Sequence, residues 1–266
     1  MNKLRLSAIY RYPVKSLAGE NLQAARVDTF GLENDRRWMV VDPDGEFLTQ
    51  RELPRMTLIG TEITGEGLQL QAPGMPSITL EKPDREGGQI HVRVWNDRCP
   101  AQLCADKVHV WLSDFLNRPC RLVHMADETV RQVDPKYATQ GDRTAFADGF
   151  PLLLISQASL DDLNSRLTDS LPMIRFRPNL VVSGCGPYAE DHWRKIRIGD
   201  LTLRVVKPCS RCKITTVDPG TGETGSEPLK TLSGYRREGN RVFFGQNLVH
   251  EGTGELALDM PVEVVD

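Results

Sequence analysis

Leu4, Leu6 and Ala8 alternate with Arg5 and Ser7, a period of two that predicts a half-buried strand running into Tyr10-Arg11-Tyr12-Pro13. Pro13 removes a ladder donor, so Val14-Lys15-Ser16 is expected as a loop. Further strands are predicted over residues 25–30, 38–41 and 47–49, the last two joined by an Asp44-Gly45 turn. They continue over 57–63, 68–72 (after a Gly-Glu-Gly turn at 65–67), 77–80 and 89–94. Val108, Trp111, Leu112, Phe115 and Leu116 then change the period to that of a helix over 108–117, with Pro119 beyond its end. Residues 123–150 lack a period and are polar, and a loop that long is more often functional than merely connecting.

Beyond it, Leu152-Leu153-Leu154-Ile155 and Leu180-Val181-Val182 are apolar runs short enough for buried strands. Between them Leu160, Leu163 and Leu167 form one helical face, with Ser159 as its capping residue. Residues 196–206 read as strand around a Gly199-Asp200 turn. Gly220, Gly222 and Gly225 mark a flexible excursion, and 242–244 and 261–265 supply closing strands. Many short strands with few helices predict a mainly β, α+β fold of two β-barrel-like domains, 1–121 and 122–266, with the boundary near Arg121.

Composition narrows the function. A net charge of −3 argues against a nucleic-acid-binding protein, which needs an excess of Lys and Arg to neutralise phosphates. No apolar run approaches membrane-spanning length, and Met1-Asn2-Lys3-Leu4-Arg5 leads into strand without a signal-peptide core, so no membrane partner is expected. The six cysteines are therefore expected as reduced thiols in the cytoplasm.

Chemistry concentrates at Lys207-Pro208-Cys209-Ser210-Arg211-Cys212-Lys213, where two thiols lie among cations. Neighbouring cations favour thiolate, the form that ligates metals and attacks electrophiles. Four readings compete. A structural zinc site wants a second knuckle, and Cys99 and Cys104 are distant and differently spaced. A thioredoxin-like dithiol wants a helix start, which Ile214-Thr215-Thr216-Val217 opposes. The thiols could also be inert turn residues. In the fourth reading one thiolate ligates a metal-bearing cofactor whose anionic part is held by cations from other loops. Lys15-Ser16, Arg36, and Arg177 with Asn179 each stand beside a predicted strand, as that reading requires.

Tyr12-Pro13-Val14-Lys15-Ser16, Asp35-Arg36-Arg37-Trp38, Phe176-Arg177-Pro178-Asn179, Ala189-Glu190-Asp191-His192-Trp193, Cys209-Ser210-Arg211-Cys212 with Thr215-Thr216-Val217-Asp218-Pro219, and Phe244-Gly245-Gln246-Asn247 occur in order. This set resembles the MOSC (molybdenum cofactor sulfurase C-terminal) proteins. The likeness is greatest to the branch with an N-terminal MOSC β-barrel domain, which includes amidoxime-reducing and hydroxylaminopurine-detoxifying members, and it covers essentially the whole chain.

The resemblance implies a molybdenum cofactor, with Cys212 as the molybdenum ligand and catalytic thiolate. Lys15, Ser16, Arg36, Arg177, Asn179, Ser210, Arg211 and Asn247 would hold the pterin and its phosphate. The Asp148-Gly149-Phe150 turn would add contacts through Gly149 and Phe150, Asp191 would be an acid on the substrate side, and Cys209 would pack beside the site. No pyridoxal phosphate site is expected. The implied reaction is two-electron reduction of N-hydroxylated substrates such as hydroxylamines and amidoximes. Some bacterial relatives carry a ferredoxin-like domain with a Cys-x4-Cys-x2-Cys run. None precedes Val264-Val265-Asp266, so electrons are expected from a separate ferredoxin- or flavin-type protein. The alternatives are a carrier of cofactor or sulfur without turnover, and a zinc-binding module.

Overall fold

The computed structural model describes residues 3–65, 67–83 and 88–265. Met1, Asn2, Asp266 and Glu66, the centre of the anticipated Gly-Glu-Gly turn, lie outside the described residues. Strands dominate, and three short α-helices accompany them among the described residues.

A nine-stranded sheet forms the frame. Its spatial order is Val262–Val264, Lys195–Ile198, Leu201–Ser210, Arg241–Glu251, Leu152–Ser156, Leu180–Ser183, Arg5–Arg11 and Glu20–Leu22, with Arg237–Glu238 pairing the Arg241 strand. All described pairings in it are antiparallel except Leu152–Ser156 with Leu180–Ser183. That parallel pair explains the two unbroken apolar runs, because both faces are covered. Leu152, Leu154, Leu180 and Val182 enter one core, while Ile155 and Val181 enter another on the opposite face, beneath the Gln157–Asn164 helix.

A four-stranded sheet, Trp38–Val41, Arg121–His124, Asp97–Leu103 and Gln89–Val94, repeats the logic. Trp38 and Val40 face the core shared with the Asp106–Leu116 helix, and Met39 and Val41 face a third core around Phe30 and Phe146. That helix has no side-chain cap at Ala105, and Asn117 ends it in the left-handed conformation. A cap is worth about 1 kcal/mol, whereas each fully buried large apolar side chain contributes about 1.5–3 kcal/mol. Packing of Val108, Trp111, Leu112, Phe115 and Leu116 therefore decides that the helix forms.

Several expectations are revised. Residues 57–63 are not one strand: Pro54, with its fixed φ, opens a 3-10 turn over Pro54–Leu58, and the strand begins at Gly60. The second helix starts one turn early, because Ser156 and not Ser159 caps it, accepting from Ser159 N at 3.1 Å. Asp97–Leu103 is a strand despite Pro100, since its second neighbour pairs only at Gln102 and Leu103. The Gly220–Gly225 stretch is organised by Asp218, whose Oδ1 accepts from Gly220 N and Thr221 N at 2.9 and 3.0 Å. Two pairings join sequence-distant ends: Arg5–Arg11 with Leu180–Ser183, and Ala24–Asp28 with Gly254–Ala257. No helix among the described residues is long and apolar enough to cross a membrane.

Candidate functional site

The loop after the first strand is pinned to the Trp38 strand, with Lys15 N donating to Trp38 O at 2.8 Å. Arg36 N donates to Tyr12 O at 2.7 Å, and Phe146 N to Arg36 O at 2.9 Å, so three distant loops share one hydrogen-bond seam. Asn179 ties this seam to the large sheet. Its Oδ1 accepts from Arg36 Nη1 at 3.0 Å and Leu153 N at 3.2 Å, and its Nδ2 donates to Tyr10 O at 3.2 Å. The Leu201–Ser210 strand then delivers the cysteine loop, where Cys212 precedes a single 3-10 turn, Lys213–Thr216. No α-helix begins there, so the dithiol reading lacks the dipole it needs.

These loops enclose a cavity of about 140 Å³. Lys15, Ser16, Arg36, Gly149, Phe150, Arg177, Asn179, Ser210, Arg211, Asn247 and Cys212 all line it. It opens into a groove of about 820 Å³, and Cys212 belongs to both walls. Asp191 does not join them. Its carboxylate accepts from Arg236 Nη2 at 2.5 Å and Gln246 Nε2 at 2.6 Å. Glu190, next to it, accepts from Ser156 N at 3.0 Å and Ser159 Oγ at 2.8 Å.

Ser16, Arg36 and Arg177 have φ of 67°, 48° and 56°. Left-handed backbone is unfavourable for a side-chain-bearing residue by roughly 1–3 kcal/mol, and three such residues converge on one cavity. Arg36 and Arg177 lie over the buried Tyr12 ring at 4.3 and 4.2 Å from its centroid. Burial, then the charge of Arg36, brings Arg177 down to about 10. Arg177 Nη2 and Arg211 Nε are buried and find no partner among the described residues. Two crowded guanidiniums and two idle donors fit an anionic ligand: a phosphate accepts from both and offsets their repulsion. A Cβ at Gly149 would meet nothing within 4 Å, which leaves the backbone there open to such a group.

Lys15, 5% exposed, donates to Phe146 O at 2.8 Å and Asp148 Oδ1 at 2.5 Å. Burial brings its ammonium down to about 8, against the favourable charge of Asp148. Burial alone would raise the Asp148 carboxyl, but Lys15 and Arg51 outweigh it and hold it below the usual carboxylate range. The sign of the pH effect follows. Between about 8 and the ordinary 10.5 the unfolded chain retains a proton that the folded protein has released, so folding stability gains with pH there. Anion affinity runs the other way. Inorganic phosphate binding, measured by calorimetry, is expected to weaken about tenfold as Lys15 loses its charge, and Lys15→Met should abolish that dependence.

All six cysteines are free. Cys99 and Cys104 are buried in separate cores, with the Cys104 thiol pushed up to about 12 by burial. Among the described residues no group of three or more His, Cys, Asp or Glu side chains converges to hold a metal ion, so the zinc reading finds no ligand set. Cys209 Sγ accepts from Arg211 Nη1 at 3.0 Å and lines both cavity and groove, a larger presence than simple packing. Arg51 and Trp95 on the groove escaped the sequence reading, whereas Lys207, also on it, belongs to the cysteine motif.

Residues 3–119 match the MOSC N-terminal beta barrel domain, and residues 141–263 match the MOSC domain. The chain is 36% identical to mitochondrial amidoxime-reducing component 1 of Mus musculus, over 97% of this chain and 81% of that protein. The human protein of the same name is also 36% identical, over 97% and 82%. Molybdenum cofactor sulfurase of Oryza sativa subsp. japonica is 33% identical over 94% of this chain and 33% of its own length. With both domains matched in order and relatives aligned along nearly its whole length, the chain belongs to the MOSC family, in the group that carries the N-terminal MOSC β-barrel domain.

Proposed function

We propose that this protein is a molybdenum-cofactor oxidoreductase that reduces N-hydroxylated compounds, hydroxylamines and amidoximes, with electrons from a separate ferredoxin- or flavin-type protein. The observation that carries the reading is the convergence of Lys15, Arg36, Arg177 and Arg211 with Cys212 on one cavity that opens to a groove. The named activity of the amidoxime-reducing relatives supports it.

Cys212 Sγ would be the protein's ligand to the metal, a soft donor suited to it. Arg177 Nη2 and Arg211 Nε would donate to the phosphate, with Lys15 and Arg36 adding charge. Ser16, Ser210 and Asn247 line the same cavity, as do Gly149 and Phe150, and Asn179 would act there by holding Arg36 in place. When bound, the cofactor would supply the two-electron redox chemistry that the protein's own side chains lack. In balance, two electrons and two protons convert N–OH to N–H and release water. The groove, which Cys212 lines, would be the path for substrate and protons. The same proposal takes residues 1–121 and 122–266 as the two domains and places the protein in the cytoplasm, consistent with six free thiols.

The test is benzamidoxime turnover by molybdenum-loaded protein with an artificial electron donor, the amidine product being quantified. A carrier would hold molybdenum without turnover. Stoichiometric zinc without molybdenum, in protein from a cofactor-competent host, would end the reading. Arg177→Ala should lose cofactor, and some stability as well, because Arg177 Nη1 also donates to Leu17 O at 2.6 Å.

A further inference from the structure

Arg51 belongs to none of the motifs that carry the family resemblance, yet it stands at the junction of cavity and groove. Its Nη2 donates to Asp148 Oδ2 at 3.2 Å, while the other oxygen of that carboxylate accepts from Lys15. Lys15 lines the cavity, Arg51 the groove, and Asp148 and Cys212 both. The Arg51 guanidinium also faces the Cys212 side chain, close enough for the two to interact, and Trp95 and Asp148 line the same groove.

Trp95 fixes the guanidinium from the other side, with Arg51 Cζ 4.8 Å from its ring centroid. It is the first residue of the two-residue turn between Gln89–Val94 and Asp97–Leu103, with φ of 58°. Glycine is the usual residue at such a position, and a tryptophan there is strained. Edge-on contact with Phe47, at 5.1 Å between centroids, holds the indole in place although it is 45% exposed. A strained, half-exposed aromatic braced from behind and laid over one arginine marks that arginine as a residue whose position matters.

We propose that Arg51 is a positioning residue for the reaction, donating a hydrogen bond to the Cys212 sulfur from the groove side and thereby tuning the metal that this sulfur ligates. The proposal rests on Cys212 being the ligand. A donor on a ligating thiolate withdraws electron density from the sulfur, which favours the reduced metal and raises its potential. Asp148 and Trp95 set the angle of the guanidinium, and Lys15 on the second oxygen of Asp148 couples the anion-holding cavity to the sulfur.

The experiment compares wild type, Arg51→Met and Arg51→Lys as molybdenum-loaded full-length proteins. Three quantities are read: molybdenum per chain, the midpoint potential, and the electron paramagnetic resonance spectrum of the half-reduced metal. Expected are unchanged molybdenum content, a lower midpoint potential and an altered spectrum in Arg51→Met, with partial return in Arg51→Lys. Turnover should fall roughly tenfold with little change in KM, the size of one lost charge-assisted hydrogen bond. Unchanged potential and spectrum in Arg51→Met with molybdenum intact would overturn the proposal and leave the reductase reading standing. Loss of molybdenum in both variants would overturn it too, making Arg51 a holder of the cofactor. A wild-type protein without molybdenum would remove the ligand role of Cys212, and this inference with it.

Discussion

Cys212→Ser is expected to give a folded protein that retains no molybdenum. Cys212 sits at the mouth of the groove on a 3-10 turn whose hydrogen bonds come from its backbone oxygen, which accepts from Thr215 N at 3.1 Å and Thr215 Oγ1 at 3.0 Å. Serine preserves those bonds, so the thermal transition should barely move. What disappears is the soft donor, and a neutral hydroxyl is a poor replacement for thiolate. The fall in metal content should exceed the roughly 10–100-fold that loss of a mere outer partner brings. Cys209→Ser is the control. Its sulfur accepts from Arg211 Nη1, a bond that a serine oxygen can also accept, so most molybdenum should stay. Elemental analysis of the two variants side by side decides the matter, and equal loss from both would refute the assignment.

Asn179→Ala is expected to have the largest effect on stability among the residues lining the cavity. Asn179 is 1% exposed and every polar atom of its side chain is engaged. Alanine leaves Leu153 N and Tyr10 O without these partners, at about 1–3 kcal/mol for each buried group left unsatisfied. Arg36 keeps Asp35, 2.5 Å away, but loses the contact that aims it. A loss of roughly 3 kcal/mol lowers the melting temperature of a chain this size by roughly 6–12 °C. Calorimetry measures that shift, and phosphate affinity of the surviving folded protein measures the loss of aim in Arg36. A melting temperature within a degree or so of wild type would mean that water replaces the amide at this junction.

The cationic loops and the cysteine pair were legible because they are local: each is a charged or soft residue beside a strand signal. Asp191 shows the limit of that reading. An acid within a motif looks functional in sequence, yet Asp191 lines neither cavity nor groove and accepts from Arg236 and Gln246 instead. Arg51 shows the converse, for a single arginine after a short strand is indistinguishable from a surface charge until Asp148 and Trp95 are seen around it. Among the strands, Arg121–His124 was hidden because Leu122 and Val123 serve different cores, which erases alternation. The pairing of Ala24–Asp28 with Gly254–Ala257 leaves no trace in local pattern at all.

That last pairing bears on biosynthesis. Asn247 lines the cavity, and the strand that carries it abuts the one bearing Cys209 and Ser210, with Pro208 opposite Gln246. Until those late residues have left the ribosome, the cysteine loop has no neighbour on that side and the early strand Ala24–Asp28 still lacks Gly254–Ala257. Closure of the cavity therefore waits on residues 241–257, whatever the order in which the earlier loops settle.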